Sequence, residues 1–548
     1  MSTETELAGA TGTSNRSSRR VSRRLKLAAS ALITGAILGI TSAASASPVF
    51  ELFGDTLGSG GLNPRFNSPG PASTYFNPSL LPLEHGAEGA FGLLIMKQSI
   101  GIELGARVQA NDVPVEKRSA APGPLDEVRY QDAGGFGYFG TMPTTYIVDG
   151  CDPKGTATPT GVEECSRGRE PGGPRQSNGS GEATWIYTPI GLVQPLIDQY
   201  LVFGFYGIMG MAKYRLHAFH VDEMEQFFTN SLHPEMYSDR MTAQAISFGF
   251  GSQLADWVSV GISFSLNINT VAHGNAFIFD AEDQNGSLRL STDAKTETGM
   301  KPHFGITFLP SEDFMLTATV QTETSFQLTT HIGNDLPDGE HQEAERFNVH
   351  DFMPNQVSFG GSYTIPFEDS DGAVNITAGA TRNQWTDYID RQGVNPTGTY
   401  AWRNTWNVSA GLRYIVGDTT VFSDIRYVPT PVPLQTGRTN YVDNDRTDVV
   451  GGLTQLFEAG GLLLRVGANL RGYILHRRAQ DKLPPDTKAL NDVDEELVFD
   501  EFPDGAIDKA RGDEYERSDG LQTNNPGWPG FASSGALVGG GLSLAILY

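Results

Sequence analysis

Cysteine is nearly absent: the chain has 548 residues and two of them are cysteines, Cys151 and Cys165. That excludes a disulfide-dense scaffold and a cysteine-built metal cluster. Long apolar runs are missing as well. After residue 46 no stretch of about 20 apolar residues occurs, so a helical polytopic membrane protein is excluded; mean hydropathy is −0.27. Charged residues are only 19% while aromatics reach 10%, which does not suit a disordered chain. Positive charge is the scarcer sign. The formal net charge is −25, and residues 1–46 hold six basic against two acidic side chains, so the remainder is more acidic still. Nucleic acid is therefore not an expected partner.

Those six basic residues (Arg16, Arg19, Arg20, Arg23, Arg24, Lys26) precede an apolar stretch from Leu27 to Ile40 and then small residues ending Ala44-Ser45-Ala46. The pattern predicts a secretory signal over 1–46, cut before Ser47. In an exported protein Cys151 and Cys165 are expected to close a disulfide loop. No histidine or second cysteine pair nearby completes a metal site, and no cofactor is expected.

What is abundant is period-2 alternation. Between 245 and 268, Ile246, Phe248 and Phe250 alternate with Ser247, Gly249 and Gly251; after a tight turn at 253–256, Val258, Val260, Ile262, Phe264, Leu266 and Ile268 alternate with serine, glycine and asparagine. Such spacing puts apolar side chains on one face of a strand and small polar ones on the other. The same hairpin recurs around turns at 309–313, 366–372, 416–418 and 458–460, with an earlier one at 195–199. Long connections separate the hairpins, near 110–183, 213–239, 271–296, 329–353, 386–403, 429–446 and 476–534. An even count of 14 candidate strands, with short and long connections in strict alternation, predicts an all-β, 14-stranded antiparallel transmembrane barrel with apolar side chains outward and polar ones inward. A bilayer-spanning sheet must close, because an open edge would leave backbone groups unpaired. The last strand, with Val538, Leu542, Leu544, Ile546 and Tyr548 in one phase, is expected to be the signal read by a barrel-assembly machinery.

Several segments carry a more specific resemblance. Pro71 to Leu80, reading PASTYFNPSL, resembles the Asn-Pro-Ala hatch motif of FadL-type outer-membrane transporters. The stretches 184–189, 194–199 and 203–207 are similar to that family's second and third strands. Met353 to Gly360, Trp385, Tyr427 to Pro433 and Asp443 to Arg446 follow in family order. Ser79 stands where the family usually has alanine. The resemblance implies an N-terminal hatch over 47–83 inside a barrel over 84–548, with no enzymatic activity. It also implies passive uptake of hydrophobic molecules (long-chain fatty acids first, aromatic hydrocarbons second) by a monomer embedded among outer-membrane lipid and lipopolysaccharide.

The expected site residues follow. Asn77, Pro78 and Ser79 would form the hatch turn. Phe219, Met224, Phe227, Phe228 and Leu232 would make an apolar capture surface in the second long loop. Strand phase points Arg413, Arg426, Arg465 and Arg471 into the lumen, where they either meet a substrate carboxylate or neutralise Glu51, Asp55 and Asp424. Gly204, Gly207 and Gly210 can mark a bulge or kink in the third strand, and the resemblance implies that this strand is kinked to make a side exit. No Gly-x-Ser-x-Gly elbow is present, and His217, His220 and Glu223 are read as a surface cluster and not as a metal site. A barrel serving only to anchor adhesive loops is the competing function, disfavoured because an anchor needs no plug.

Overall fold

The computed structural model describes residues 48–67, 69–84, 86–104, 183–214, 233–234, 244–268, 273–279, 287–297, 301–335, 341–368, 371–390, 395–398, 401–435, 440–481, 527 and 530–548. Fourteen antiparallel strands close into one barrel, each hydrogen-bonded to its sequence neighbours in the wall. The first strand, β1 (Glu88–Leu104), is paired along its whole length with the last (Gly530–Leu547), from Glu88↔Leu547 to Leu104↔Phe531. That seam removes the sheet edge that hydrocarbon could not tolerate.

The pleat is inverted relative to a soluble barrel. Outward positions such as Leu93, Ile95, Phe304, Phe359, Val408, Leu412, Ile425, Leu453, Leu470 and Leu542 are exposed, while inward Ser259, Ser263, Thr307, Ser358, Asp424 and Asp448 are buried. At the short-turn end aromatic side chains gather on the outer surface. Trp257 stacks on Phe308 at 6.3 Å, Phe314 meets Tyr363 edge-on and Phe367 lies against Tyr414. This girdle is what an interface between hydrocarbon and water selects. The apolar outer belt makes the barrel a transmembrane one.

The six predicted short turns are observed, between Ile197 and Leu201, Ala255 and Val258, Ser311 and Phe314, Pro366 and Gly372, Val416 and Thr419, and Ala459 and Leu462. Two expected long loops are corrected. Segments 271–296 and 329–353 contain strands, His273–Phe279, Ser287–Glu297, Thr324–Asp335 and His341–Met353, which form a separate four-stranded sheet. Polar residues pair there as readily as apolar ones, because a sheet beyond the bilayer needs no lipid-facing stripe.

Candidate functional site: a plugged, two-sided lumen

Residues 48–83 run as short helical turns, 48–53, 64–67, 73–76 and a 3₁₀ segment 78–83, packed against inward-facing wall residues. Strands too polar to fill the barrel by themselves hold this segment by hydrogen bonds. Arg413 donates to the carbonyls of Ser59 (3.1 Å) and Gly60 (2.7 Å) and pairs with Asp424, whose second oxygen accepts from Leu62 N at 2.7 Å. Arg426 donates to the Leu52 carbonyl and binds Asp448. Arg471 donates to the carbonyls of Phe53 and Asp55. Arg465 pairs with Glu88.

The four lumenal arginines are thus brought to the wall and the N-terminal segment: Arg413 neutralises Asp424, one of the expected acids, whereas Arg426 and Arg465 pair with Asp448 and Glu88. Glu51 is bound by Arg65 instead, which also reaches Gln321 and Gln356 on the wall at 2.8 Å each. Burial raises the Glu51 carboxyl, but Arg65, with Tyr75 and Arg426, outweighs it and holds it below the usual carboxylate range. The Asp55 carboxylate folds its own loop, accepting from Leu57 N, Gly58 N and Gly60 N.

The Asn77-Pro78-Ser79 turn sits directly on the wall. Asn77 Oδ1 accepts from Ser79 Oγ at 2.6 Å and Asn77 Nδ2 donates to the Arg65 carbonyl; Ser79 Oγ also meets Thr307 Oγ1 at 2.7 Å, and Ser259 Oγ donates to the Ser79 carbonyl. The hydroxyl that distinguishes Ser79 from alanine therefore adds a link to the wall. Backbone comes this close because the wall opposite is glycine: a Cβ on Gly305 would lie 2.2 Å from Asn77 Oδ1, and one on Gly261 2.3 Å from Pro78 C. Gly305→Val should expel the turn, so limited proteolysis of the folded, detergent-purified barrel is expected to cut within 69–83, where the parent resists.

Gly204, expected as part of a kink, proves to be a seat of the same kind: its missing Cβ leaves room for Thr74 and Leu81. Gly207 faces outward beside Ile190 and Phe205. Gly210 alone borders an irregularity. Along β2 (Ala183–Ile197) and β3 (Leu201–Tyr214), Tyr187 pairs with Gly210 and Ile186 with Ala212, so Met211 is the extra residue. Among the described residues, β3 pairs with the next wall strand only from Val202 to Ile208, and its remaining residues pair with β2 alone.

The lumen has two unlike sides. Opposite the polar wall, β1, β2, β3 and the long-connection half of the last two strands turn a run of apolar side chains inward: Met96, Ile100, Ile102, Trp185, Tyr187, Ile208, Tyr473, Leu475, Phe531 and Leu537 join Phe50 and Phe53 in one cluster, while Glu88, Arg465, Asn469 and Arg471 are the polar inward residues of the same strands. Phe50 stacks on Tyr206 and Phe53 meets Tyr187 edge-on. Polar links on this side come from Tyr206, whose hydroxyl reaches Gly54 O and Thr56 Oγ1, and from Arg471, which donates to the Phe53 and Asp55 carbonyls. The N-terminal segment is hydrogen-bonded to one half of the barrel and rests on the other mainly by dispersion contact. This apolar half was not singled out from sequence, although the paired signal was present: β1 alternates two apolar phases where the polar-wall strands alternate apolar with serine or threonine.

Two cavities adjoin the segment. One of about 310 Å³ lies toward the short-turn end, lined by Asp55, Ser59, Asn67, Pro71, Glu84, Arg413 and Arg465. The other, about 80 Å³, lies toward the long connections between Leu52, Trp385, Arg426, Pro429, Pro431, Asp443 and Arg446. Burial pushes the Asp443 carboxyl up to about 6 despite Thr430, Arg446 and Arg478 beside it. The expected capture residues Phe219, Met224, Phe227, Phe228 and Leu232, and the Cys151/Cys165 pair, lie outside the described residues. Among the described residues no group of three or more metal-ligating side chains occurs.

No family model matches the chain, and no curated protein matches it in sequence. Solved structures match it in chain path. A Pseudomonas aeruginosa FadL homologue is 14% identical over 92% of this chain and 99% of its own, with a TM-score of 0.48. The P. putida toluene transporter TodX is 12% identical over 92% and 99%, with a TM-score of 0.43. The Ralstonia pickettii toluene transporter TbuX is 12% identical over 93% and 100%, with a TM-score of 0.40. These likenesses concern fold and assign no activity; what the chain is similar to is a set of FadL-type and toluene-transporter barrels.

Proposed function

We propose that the protein is an outer-membrane channel for passive uptake of hydrophobic molecules, with long-chain fatty acids as the first expected cargo. The observation that carries this reading is the two-sided lumen: an apolar strip runs beside a segment hydrogen-bonded to the opposite wall. A hydrophobic solute moving along that strip gains about 0.8 kcal/mol per buried CH₂. The N-terminal segment acts as the hatch and can yield on its apolar side without breaking its polar anchors. The solute then leaves sideways beyond Ile208, where among the described residues β3 pairs with β2 alone. Capture by the loop bearing Phe227 and Phe228 belongs to the same proposal. An adhesive anchor has no use for so many bonds holding a segment in its lumen.

A second cargo is favoured by a specific feature. Arg413, Arg426, Arg465 and Arg471 are all engaged by carboxylates or carbonyls, so none waits for a substrate carboxylate, which suits a neutral hydrocarbon. Uptake of labelled oleate and of toluene by a transporter-deficient strain expressing this chain tests both. Uptake of either supports the channel and selects the cargo. Failure of both, with the folded barrel present in the outer membrane, shifts the reading to an anchor.

A further inference from the structure

We propose that the segment 429–435 and 440–445 is a gate over the long-connection mouth of the lumen, latched from the last two strands by Arg478 and Asn444; this rests on the channel reading above. The gate is laid across the barrel and not along one wall. At one end Val432 and Tyr441 join an aromatic cluster of Phe352, Trp385, Tyr388 and Trp402, in which Tyr388 and Trp402 stack face to face. At the other, Val442 packs into the apolar lumenal cluster with Phe50, Tyr473 and Phe531. Between them Pro429, Pro431, Asp443 and Asn444 roof the 80 Å³ cavity above Leu52. Such a space holds roughly two or three waters, far below the several hundred Å³ typical of a small-molecule site. A solute from that side meets this roof before it meets Leu52 and the N-terminal segment.

The latch is built by a change of strand phase. Along Leu462–Asp481, inward positions are odd-numbered through Tyr473 and Leu475; the register then shifts between Leu475 and Arg478. A bulge re-aims every side chain beyond it, so Arg478 and Gln480 now face the lumen. Arg478 donates to the Val432 carbonyl at 2.6 Å, the Asp443 carbonyl at 3.1 Å and Thr430 Oγ1. Gln480 Oε1 accepts from Gln435 N. Asn444 Nδ2 donates to the carbonyls of His476 and Ser533, and Ser533 Oγ donates back to Asn444 Oδ1 at 3.0 Å. One guanidinium and one amide thus hold both arms of the segment.

Two variants test the gate in a Cys151→Ser, Cys165→Ser background. In Asn444→Cys/Ser533→Cys, oxidation should tether the segment and cut uptake at least tenfold, with recovery on reduction; uptake that is measurable and equal in both states overturns the gate. In Arg478→Ala combined with Leu52→Cys, a membrane-impermeant maleimide added to whole cells should label Leu52→Cys at least tenfold faster than when Arg478 is present. An unchanged rate likewise overturns it. The labelling needs no cargo: acceleration without uptake of oleate or toluene keeps the gate and removes the channel reading.

Discussion

Asp424→Ala is expected to destabilise the protein by about 3–5 kcal/mol and to loosen the N-terminal segment from the wall. The Arg413 and Asp424 side chains are 3% and 0% exposed, so truncating the acid leaves a buried guanidinium without its counter-charge, which is the costly way to break a buried pair. The loss extends beyond the pair, because Asp424 also accepts from Leu62 N while Arg413 holds the Ser59 and Gly60 carbonyls. Removing the acid therefore deletes the Leu62 anchor of the 59–62 turn and strips the counter-charge from Arg413, which holds its other end. The urea midpoint of the micelle-solubilised barrel should fall. In planar bilayers the variant should pass ionic current where the parent stays closed. A variant equally stable and equally closed would mean that the polar wall does not hold the segment in place.

The second large effect concerns the apolar side. Leu537→Asn should lower uptake of the hydrophobic cargo about tenfold or more, whereas Thr319→Asn on the opposite wall should change it less than about twofold. Both residues are nearly fully buried and face inward. Only the leucine lies on the strip along which the cargo gains its driving force, and burying a leucine-sized surface is worth about 1.5–3 kcal/mol. The heat-dependent gel shift of a folded barrel serves as the folding control for both variants. Equal losses on the two sides would contradict a one-sided path.

Much of this molecule is legible in its sequence, and the boundary of legibility is physical. Wall strands show themselves because lipid on one face and polar groups on the other enforce strict alternation, as in Trp406-Val408-Ala410-Leu412 against Arg413 and Asp424. Phase alone also sets Arg413, Arg426, Arg465 and Arg471 inward. It says nothing about which partner each finds, since those partners, Asp448 and Glu88 among them, stand on other strands. The four strands of the separate sheet, His273–Phe279, Ser287–Glu297, Thr324–Asp335 and His341–Met353, carry no sustained apolar stripe and so read as loop. The latch is the hardest to see: counting by two from Leu462 puts Arg477 inward, and only the register shift before Arg478 reverses it. Gly204 illustrates the same limit. A glycine in a strand signals a kink or a close approach equally well, and only the position of Thr74 and Leu81 decides.

The account turns on a hydrophobic molecule occupying the apolar half of the lumen. Native mass spectrometry with lipid extraction, on the barrel purified from outer membranes in a mild short-chain detergent, reads this directly. A bound fatty acid or hydrocarbon in the parent, lost in Leu537→Asn and kept in Thr319→Asn, is the expected result. An empty parent barrel, or a ligand equally retained in both variants, would contradict it.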